Sequence, residues 1–595
     1  MNSYQYRVQA SEPRKSQWYT EFAAIQTGID APVTDTVSTE LYVPPNVTEL
    51  RQHLAAYQEP EVENPSDFLA MTRNVIRRVM EREDCDKVIH QWLVPTQCFE
   101  VKVNPGTSAG LKYKMQGLKT KAEASQVAAA DAYHDILGMV GGDRKLHVGI
   151  CSMAGRAKKV ENESKLNDSR STGKAEGRLI IVTPLDRHIR GAIAQTPYQK
   201  LTRSFNKSLG GTLLGAGPFG GDWEEILTLF QGKFIDEKVI PGDGPIKQVF
   251  YCLDFSKFDK RLKRDLLREV LINKISRRFT RMAGSRTYWK NEVHNAIFTT
   301  VADPTGHIYQ KMNGITSGDP WTSILGSECN EIMLTDIFSM IDDVCLVRPY
   351  TFGDDSVVCV MYREENEWRM PTLAEISQRG RDRWGAVIHP DKSRVCLSLL
   401  THPNVLTDDE SGLGVNFLSM YFAPEYEMER IVPTRSLESV QRILMTPEWN
   451  EEDDWKHELT RVVSLYLSSY FNRDAEAHLR KYHNHLLAKN GVEWGLELTR
   501  DDARFFRRSG ADRDVSKFFS QYGLPSGVEV HSLYFPSMSG RAPKKKFKRS
   551  RVYRGTDGRP SYELHYNVSD GPLILSGGIG GTLGPTDLYR LPHGI

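Results

Sequence analysis

Two adjacent carboxylates, Asp354 and Asp355, follow Gly353 between two apolar, β-branched runs, Tyr350-Thr351-Phe352 before and Val357-Val358 after. That pattern reads as strand, tight turn, strand, with the acidic pair at the tip of a β-hairpin. Neighbouring side chains on a strand point to opposite faces, so both carboxylates can serve one site only where a turn re-aims them. Like charges at this spacing repel, and a hard cation with oxygen ligands relieves the repulsion, Mg²⁺ being the natural choice. An Asp-Asp turn alone is ordinarily a solvated hairpin tip, and the chain carries similar pairs at Asp342-Asp343 and in Glu451-Glu452-Asp453-Asp454. A third carboxylate upstream distinguishes Asp354. Asp254 ends the apolar run Val249-Phe250-Tyr251-Cys252-Leu253, where an acid is costly unless it binds something. It is a fitting partner for Asp354 in a two-metal site. Asp259, five residues on, opens a helical pattern through Leu262, Leu266, Leu267 and Val270, and can equally be an N-terminal cap.

Between the acidic stretches, a Ser317-Gly318 loop runs into a long helical pattern, with Pro320 tolerated in the first turn. Thr322, Gly326 and Asn330 recur at i+4 and line one face of that helix. Such a stripe suits close approach of a ligand or a structural role. Further upstream, residues 145–190 are rich in positive charge, including Arg156, Lys158, Lys159, Lys165, Arg170 and Lys174, and lead into the strand-like Arg178-Leu179-Ile180-Ile181-Val182. Arg187 and Arg190 follow. Arginine forks match phosphate oxygens, so this segment could clamp a triphosphate, although a solvated charged surface has the same composition. The loop Pro105-Gly106-Thr107-Ser108-Ala109-Gly110 offers small residues with free backbone amides, which suits approach to phosphates as well as an ordinary loop.

The elements that must position these groups are partly readable. Helices are expected over 66–83 and 372–384, and a short hairpin around Val415-Asn416-Phe417-Leu418-Ser419. On the first helix, Arg73, Arg77, Arg78 and Arg82 make either a solvated face or part of a polyanion channel. Residues 430–525 are mostly helical by pattern, and His483 and His485, two apart, read as surface histidines. The last stretch holds the basic run 544–551, then Tyr553, Tyr562 and Tyr566, then a Gly-rich end. It reads as a flexible tail or one folded back over a polyanion channel.

At 595 residues the chain is long enough for several packed units. Its 39% hydrophobic and 26% charged composition is that of an ordinary soluble globular protein. A net charge of only +1 means that a polyanion would be met by local basic patches. Eight scattered cysteines without a C-x-x-C argue against a disulfide framework or zinc site, and fit a reducing compartment. The N-terminus lacks an apolar signal region and no run approaches a membrane span, so an intracellular or particle-internal protein is expected. Gly215-Ala216-Gly217-Pro218-Phe219-Gly220 spells a dinucleotide fingerprint, but Pro218 and the lack of a preceding strand exclude that fold, and no P-loop occurs.

Taken in order, these stretches resemble viral RNA-dependent RNA polymerases. Asp254-x₄-Asp259 resembles motif A, Ser317-Gly318-x₃-Thr322 motif B and Gly353-Asp354-Asp355 motif C, in the usual order. Thr107-Ser108-Ala109-Gly110 is similar to motif G, Arg178-Leu179-Ile180 to the core of motif F, and Lys392 and Phe417-Leu418-Ser419 to motifs D and E. Asn330 after Gly326-Ser327 is similar to the picobirnavirus and partitivirus enzymes of double-stranded RNA viruses. The resemblance implies an α/β fold with an α+β palm: a right hand whose palm is a β-α-β-β-α-β sheet, with fingers, a helical thumb and an enclosed channel. The implied divisions are an N-terminal extension over 1–95 bridging fingers and thumb, fingers over 96–249, palm over 250–425 with a fingers insertion at about 268–313, thumb over 426–540 and a tail over 541–595.

It further implies RNA-directed RNA synthesis from ribonucleoside triphosphates with two Mg²⁺ ions, replaceable by Mn²⁺. Asp254, Asp354, Asp355 and the carbonyl of Phe255 would hold the metals, and Lys392 would be the general acid. Arg170, Lys174 and Arg178 would hold the triphosphate. Asp259, Ser317, Gly318, Thr322 and Asn330 would line the nucleotide, and Thr107, Ser108, Ala109 and Gly110 would contact RNA. Template and product RNA are the implied partners, with capsid protein as a further one, in the host cytoplasm or inside the virion. A reverse transcriptase would carry a bulky apolar residue at Asp259, and a non-catalytic RNA-binding or capsid-associated protein of this fold would not need Asp254, Asp354, Asp355 and Lys392 together.

Overall fold

The computed structural model describes residues 16–25, 41–58, 65–217, 219, 221–233, 235–401, 414–425, 430–446, 455–491 and 524–535, and the backbone of 551–554 and 560–563. The acidic run 451–454, most of the basic run 544–551 and the Gly-rich end lie outside the described residues.

A five-stranded sheet forms the centre, in the order Arg394–Cys396, Ile246–Leu253, Asp355–Arg363, Cys345–Phe352, Gly211–Thr212. The first four strands are antiparallel and the last joins parallel. Helix Thr322–Ile337 comes between Ile246–Leu253 and the hairpin, and helix Leu373–Trp384 between the hairpin and Arg394–Cys396. The sequence of elements is therefore the expected β-α-β-β-α-β palm. Val249, Tyr251, Leu253, Val358 and Val360 face a core shared with Ile324, Ile332 and Trp384, whereas Phe250, Tyr350, Val357 and Cys359 face a second core with Trp223 and Phe422. Both faces are covered, so the period of two is hidden inside continuous apolar runs.

A second, four-stranded sheet has the order Arg178–Val182, Ile150–Arg156, Thr300–Ala302, Ile308–Gln310. Its last two strands come from the stretch between the acidic motifs. Later in the chain, Leu437–Met445, Trp455–Ser469 and Arg473–Lys489 form helices. The N-terminal region touches both. Helix Gln17–Ala24 seats Tyr19 against His478, Oη to Nε2 2.7 Å, and Ser16 Oγ donates to Glu458 at 3.1 Å. Leu41–Val43 then pairs antiparallel with Lys158–Val160, and Lys159 Nζ donates to Thr446 Oγ1, so this strand also meets the end of helix Leu437–Met445 directly.

Two expectations need correction. The arginines of helix Pro65–Glu83 do not form one solvated face: Arg73 and Arg77 are exposed, Arg78 is half-buried and Arg82 is buried. Exposed Arg77 lies 4.0 Å from Glu81, whereas exposed Arg73 pairs with Glu269 at 2.8 Å, Arg78 pairs with Asp342, and buried Arg82 donates to Thr335. They fasten the helix to the palm. His483 is 1% exposed, and His485 packs on Phe22 with ring centroids 5.4 Å apart. The thumb helix is covered from a direction its own periodicity does not reveal.

Burial pushes the His483 imidazole down to about 4. Unfolded, it titrates near 6.5. Between those values the unfolded chain binds more protons, so stability present above pH 6.5 is lost as pH falls towards 4. His483→Gln removes this term. The urea midpoint of the native chain is expected to fall more steeply from pH 6.5 to 4.5 than that of the variant, and parallel lines would refute the assignment.

Candidate active site

Strand register brings the three carboxylates together. Leu253 pairs with Ser356 and Phe352 with Asp355, so Asp254 emerges beside the tip that carries Asp354 and Asp355. Gly353 turns that tip with φ +65°, a conformation suited to glycine. Asp254 is anchored through its backbone: its N–H donates to Ser393 Oγ at 3.0 Å and its carbonyl accepts from His389 N at 2.9 Å. Asp254 and Asp354 are exposed, and Asp355 is half-buried. Asp355 Oδ2 accepts the Leu418 N–H at 2.7 Å. Leu418 and Ser419 both have positive φ, at 56° and 61°, the geometry of a two-residue hairpin turn, so the hairpin Asn416–Phe417/Met420–Glu425 docks onto the acidic tip.

Burial, followed by the charges of Asp354 and Asp254, pushes the Asp355 carboxyl up to about 7, against the Leu418 hydrogen bond that favours its anion. Three hard oxygen donors with surplus negative charge fit a divalent cation. Phe255 is buried against Phe258, centroids 5.2 Å apart, which leaves its carbonyl as its only usable donor.

The loop before helix Thr322–Ile337 is bound tightly to the fingers. Ser317 Oγ accepts the Ile181 N–H at 3.0 Å, and the Gly318 carbonyl accepts from Thr183 Oγ1 at 2.6 Å. A Cβ on Gly318 would lie 2.4 Å from the Ile181 carbonyl oxygen, so only glycine allows this approach. Thr322, expected at the nucleotide, instead directs its hydroxyl to the carbonyls of Thr316 and Asp319, at 2.6 and 2.7 Å. Asn330, also expected there, is fully buried and donates to the Gly353 carbonyl at 2.9 Å. The stripe Thr322, Gly326, Asn330 thus faces the hairpin and its own loop. Exposed Asp259 lies beside the same loop, its carbonyl accepting Ile315 N–H at 2.7 Å.

In the small-residue loop the Ala109 and Gly110 amides are already used. Ala109 N–H donates to the Lys119 carbonyl at 3.2 Å and Gly110 N–H to Ser108 Oγ at 3.3 Å. Ala109 and Gly110 are buried, and a Cβ on Gly110, at φ +88°, would sit 2.8 Å from Pro184 Cα. Thr107 and Ser108 are half-buried and keep some exposed surface. In the cationic segment, Lys174 and Arg178 are exposed, while Arg170 stands 3.4 Å from Glu49. Arg187 and Arg190 are buried structural ions. Arg187 bridges Glu292 at 2.7 Å and Asp319 at 2.9 Å, locking the loop after Gly318, and Arg190 pairs with Asp135 and Asp186. Lys392 is exposed on the turn that also supplies Ser393 to Asp254.

Two groups escaped the sequence reading. Lys311 is fully buried and donates to the carbonyls of Ala296, Asn313 and Gly314, at 3.0, 2.9 and 2.5 Å, directly before the Ser317 loop. Ser327 Oγ accepts the Gly353 N–H at 2.7 Å. A lone lysine after a strand and a serine beside a helical glycine were the only signals. Glu83, Glu328 and Glu331 also converge within 4.8 Å of one another, but Lys274 Nζ sits among them and Arg278 pairs with Glu83 at 2.6 Å. With cations already supplied, this cluster is a structural network. Among the described residues no helix is long and apolar enough to cross a membrane.

Comparison with known proteins agrees with this geometry. The fold is similar to the solved Sicinivirus 3Dpol RNA dependent RNA polymerase, with a TM-score of 0.54 and 15% identity, covering 82% of this chain and 94% of that one. In sequence the chain is 24% identical over 319 residues to the genome polyprotein of pea seed-borne mosaic virus (strain DPD1), covering 52% of this chain and 8% of the polyprotein. It is 24% identical over 342 residues to that of plum pox potyvirus (strain Rankovic), covering 56% and 9%. The chain therefore spans under a tenth of the length of the curated relatives it matches. Residues 34–490 match the pattern of the family described as viral RNA-dependent RNA polymerase, and the chain belongs to that family.

Proposed function

We propose that this chain copies an RNA template by joining ribonucleotides at the exposed acidic tip formed by Asp254, Asp354 and Asp355. The observation that carries this is the register Leu253 to Ser356, which sets an acid from a separate strand beside the hairpin pair. Two Mg²⁺ ions, replaceable by Mn²⁺, would be held by Asp254, Asp354 and the Phe255 carbonyl, with Asp355 in support, and would neutralise the attacking and leaving oxygens. Exposed Lys174 and Arg178 would meet the triphosphate, with Arg170 joining if it leaves Glu49. Lys392 would deliver a proton to the departing pyrophosphate. Asp259 and the Ser317 hydroxyl would recognise the ribose 2′-OH.

Thr107 and Ser108 are the surface from which the small-residue loop would touch the template. The pattern Gly326-Ser327 with Asn330 supports kinship with enzymes of double-stranded RNA viruses of the picobirnavirus and partitivirus type, working in the host cytoplasm or inside the virion with capsid protein nearby.

The deciding experiment measures labelled ribonucleotide incorporation by the purified chain on single-stranded RNA with Mg²⁺, beside deoxyribonucleotides. Template-dependent RNA product is expected, and RNA binding without synthesis would refute the reading. Asp259→Ala is expected to narrow the preference for ribonucleotides over deoxyribonucleotides by roughly tenfold or more, the scale of a lost hydrogen bond to a charged group. An unchanged preference ratio would remove Asp259 from the ribose.

A further inference from the structure

Helix Thr322–Ile337 grips the acidic hairpin from behind through two side chains that the proposed chemistry leaves unused. Ser327 Oγ accepts the N–H of Gly353 at 2.7 Å, and Asn330 Nδ2 donates to the Gly353 carbonyl at 2.9 Å. One residue is thus held at both its peptide groups. The Ser327 hydroxyl proton goes to the Ser323 carbonyl at 2.9 Å, which leaves its lone pairs for Gly353. The Ser327 carbonyl also accepts from Thr351 Oγ1 at 2.9 Å. Both side chains are fully buried.

The site is close-fitting. A Cβ on Gly326 would lie 3.5 Å from Gly353 Cα, so the helix reaches the tip at a point where neither side carries a side chain. Gly353 lies between the paired residues Phe352 and Asp355 and has φ +65°, so the strand ladder does not determine its peptide orientation. The helix does. Asn330 Oδ1 is buried without a hydrogen-bond partner, an arrangement costly enough to call for an explanation. Turning the amide would set oxygen against the Gly353 carbonyl, so the buried orphan is the consequence of holding that carbonyl.

We infer that Ser327 and Asn330 are positioning residues that aim the Asp354 carboxylate at the divalent cation, by fixing the two peptide groups of the residue before it. The inference rests on the reading of Asp354 as a metal ligand. Groups that orient ligands without touching the metal typically change metal affinity by about 10–100-fold when removed. Mg²⁺ demands near-ideal octahedral geometry, so a loosened Asp354 would impair Mg²⁺ more than Mn²⁺.

The test is isothermal titration of Mg²⁺ and Mn²⁺ into the full chain and into Ser327→Ala, Ser327→Thr, Asn330→Ala and Asp354→Asn, with thermal unfolding of each. Ser327→Ala and Asn330→Ala are expected to weaken Mg²⁺ binding by about tenfold or more and Mn²⁺ binding by less, while Ser327→Thr, which keeps the acceptor, retains the native affinity. Weakened Mg²⁺ and Mn²⁺ binding in equal measure, or native Mg²⁺ affinity in variants whose unfolding temperature alone has dropped, would overturn the inference while leaving Asp354 a ligand. If Asp354→Asn itself binds Mg²⁺ as the native chain does, the metal reading of the site fails and takes this inference with it.

Discussion

Asp354→Asn is expected to reduce template-directed ribonucleotide incorporation by about a thousandfold or more, without lowering thermal stability. The first half follows from what the exposed carboxylate can do. It is one of two exposed acids at the tip, and nucleotidyl transfer concentrates negative charge on the attacking oxygen, the phosphorus centre and the departing pyrophosphate. Losing one anionic oxygen donor from a cation site removes charge stabilisation where it is greatest. The second half follows from repulsion. Asp354 and Asp254 both raise the Asp355 carboxyl, after burial itself. Neutralising Asp354 removes one of those negative neighbours, and its exposure means that no packing is lost. An inactive variant with an equal or higher unfolding temperature and intact RNA binding is the expected result. Incorporation within tenfold of the native rate would show that the chemistry is elsewhere.

Lys274→Met should destabilise the fold by about 3–5 kcal/mol, the usual effect of breaking a buried ion pair by removing one partner. The Lys274 ammonium is fully buried and held among Glu83, Glu328 and Glu331. Burial works against its charge, but the three carboxylates outweigh it and drive its pKa well above the ordinary lysine range. Without it, among the described residues Arg82, 3.9 Å from Glu331, and Arg278 remain to balance the acids. Glu331, already pushed up to about 7 by burial, would take up a proton. The loss should be smaller in Lys274→Met combined with Glu328→Gln, because a neutral amide needs no counter-ion. Urea unfolding of the three proteins decides this. A single variant within 1 kcal/mol of native, or no recovery in the double variant, would mean the cluster is relaxed by water. The effect also bears on the site, since Glu328 and Glu331 flank Cys329 and Asn330 on the helix that holds Gly353.

The acidic tip was legible in the sequence because its signals are local. An acid closing a buried strand, and an acid pair after glycine between two apolar runs, stand out against their neighbours. A period of two then determines which residues share a face. The order of strands and helices also sufficed for the palm, since a β-α-β-β-α-β chain with antiparallel strands has few compact arrangements.

Only the tertiary structure decided what faces what. Helical spacing aligned Thr322, Gly326 and Asn330 correctly, but it could not say that the hairpin, more than twenty residues on, would occupy that side. The loop 107–110 has the composition of an anion cradle, yet the amides of Ala109 and Gly110 are consumed by Lys119 and Ser108. Arg78 and Arg82 look solvated until Asp342 and Thr335 arrive from elsewhere in the chain. His483 looks exposed, yet its thumb helix is packed on several sides, with a helix near the N-terminus covering His478 and His485. Propensity and periodicity act over one or two turns, whereas burial and hydrogen-bond partners are set by contacts hundreds of residues apart. The sequence therefore determined which groups could react, and the packing determined which of the remaining polar groups are free to meet a ligand and which hold the site in place.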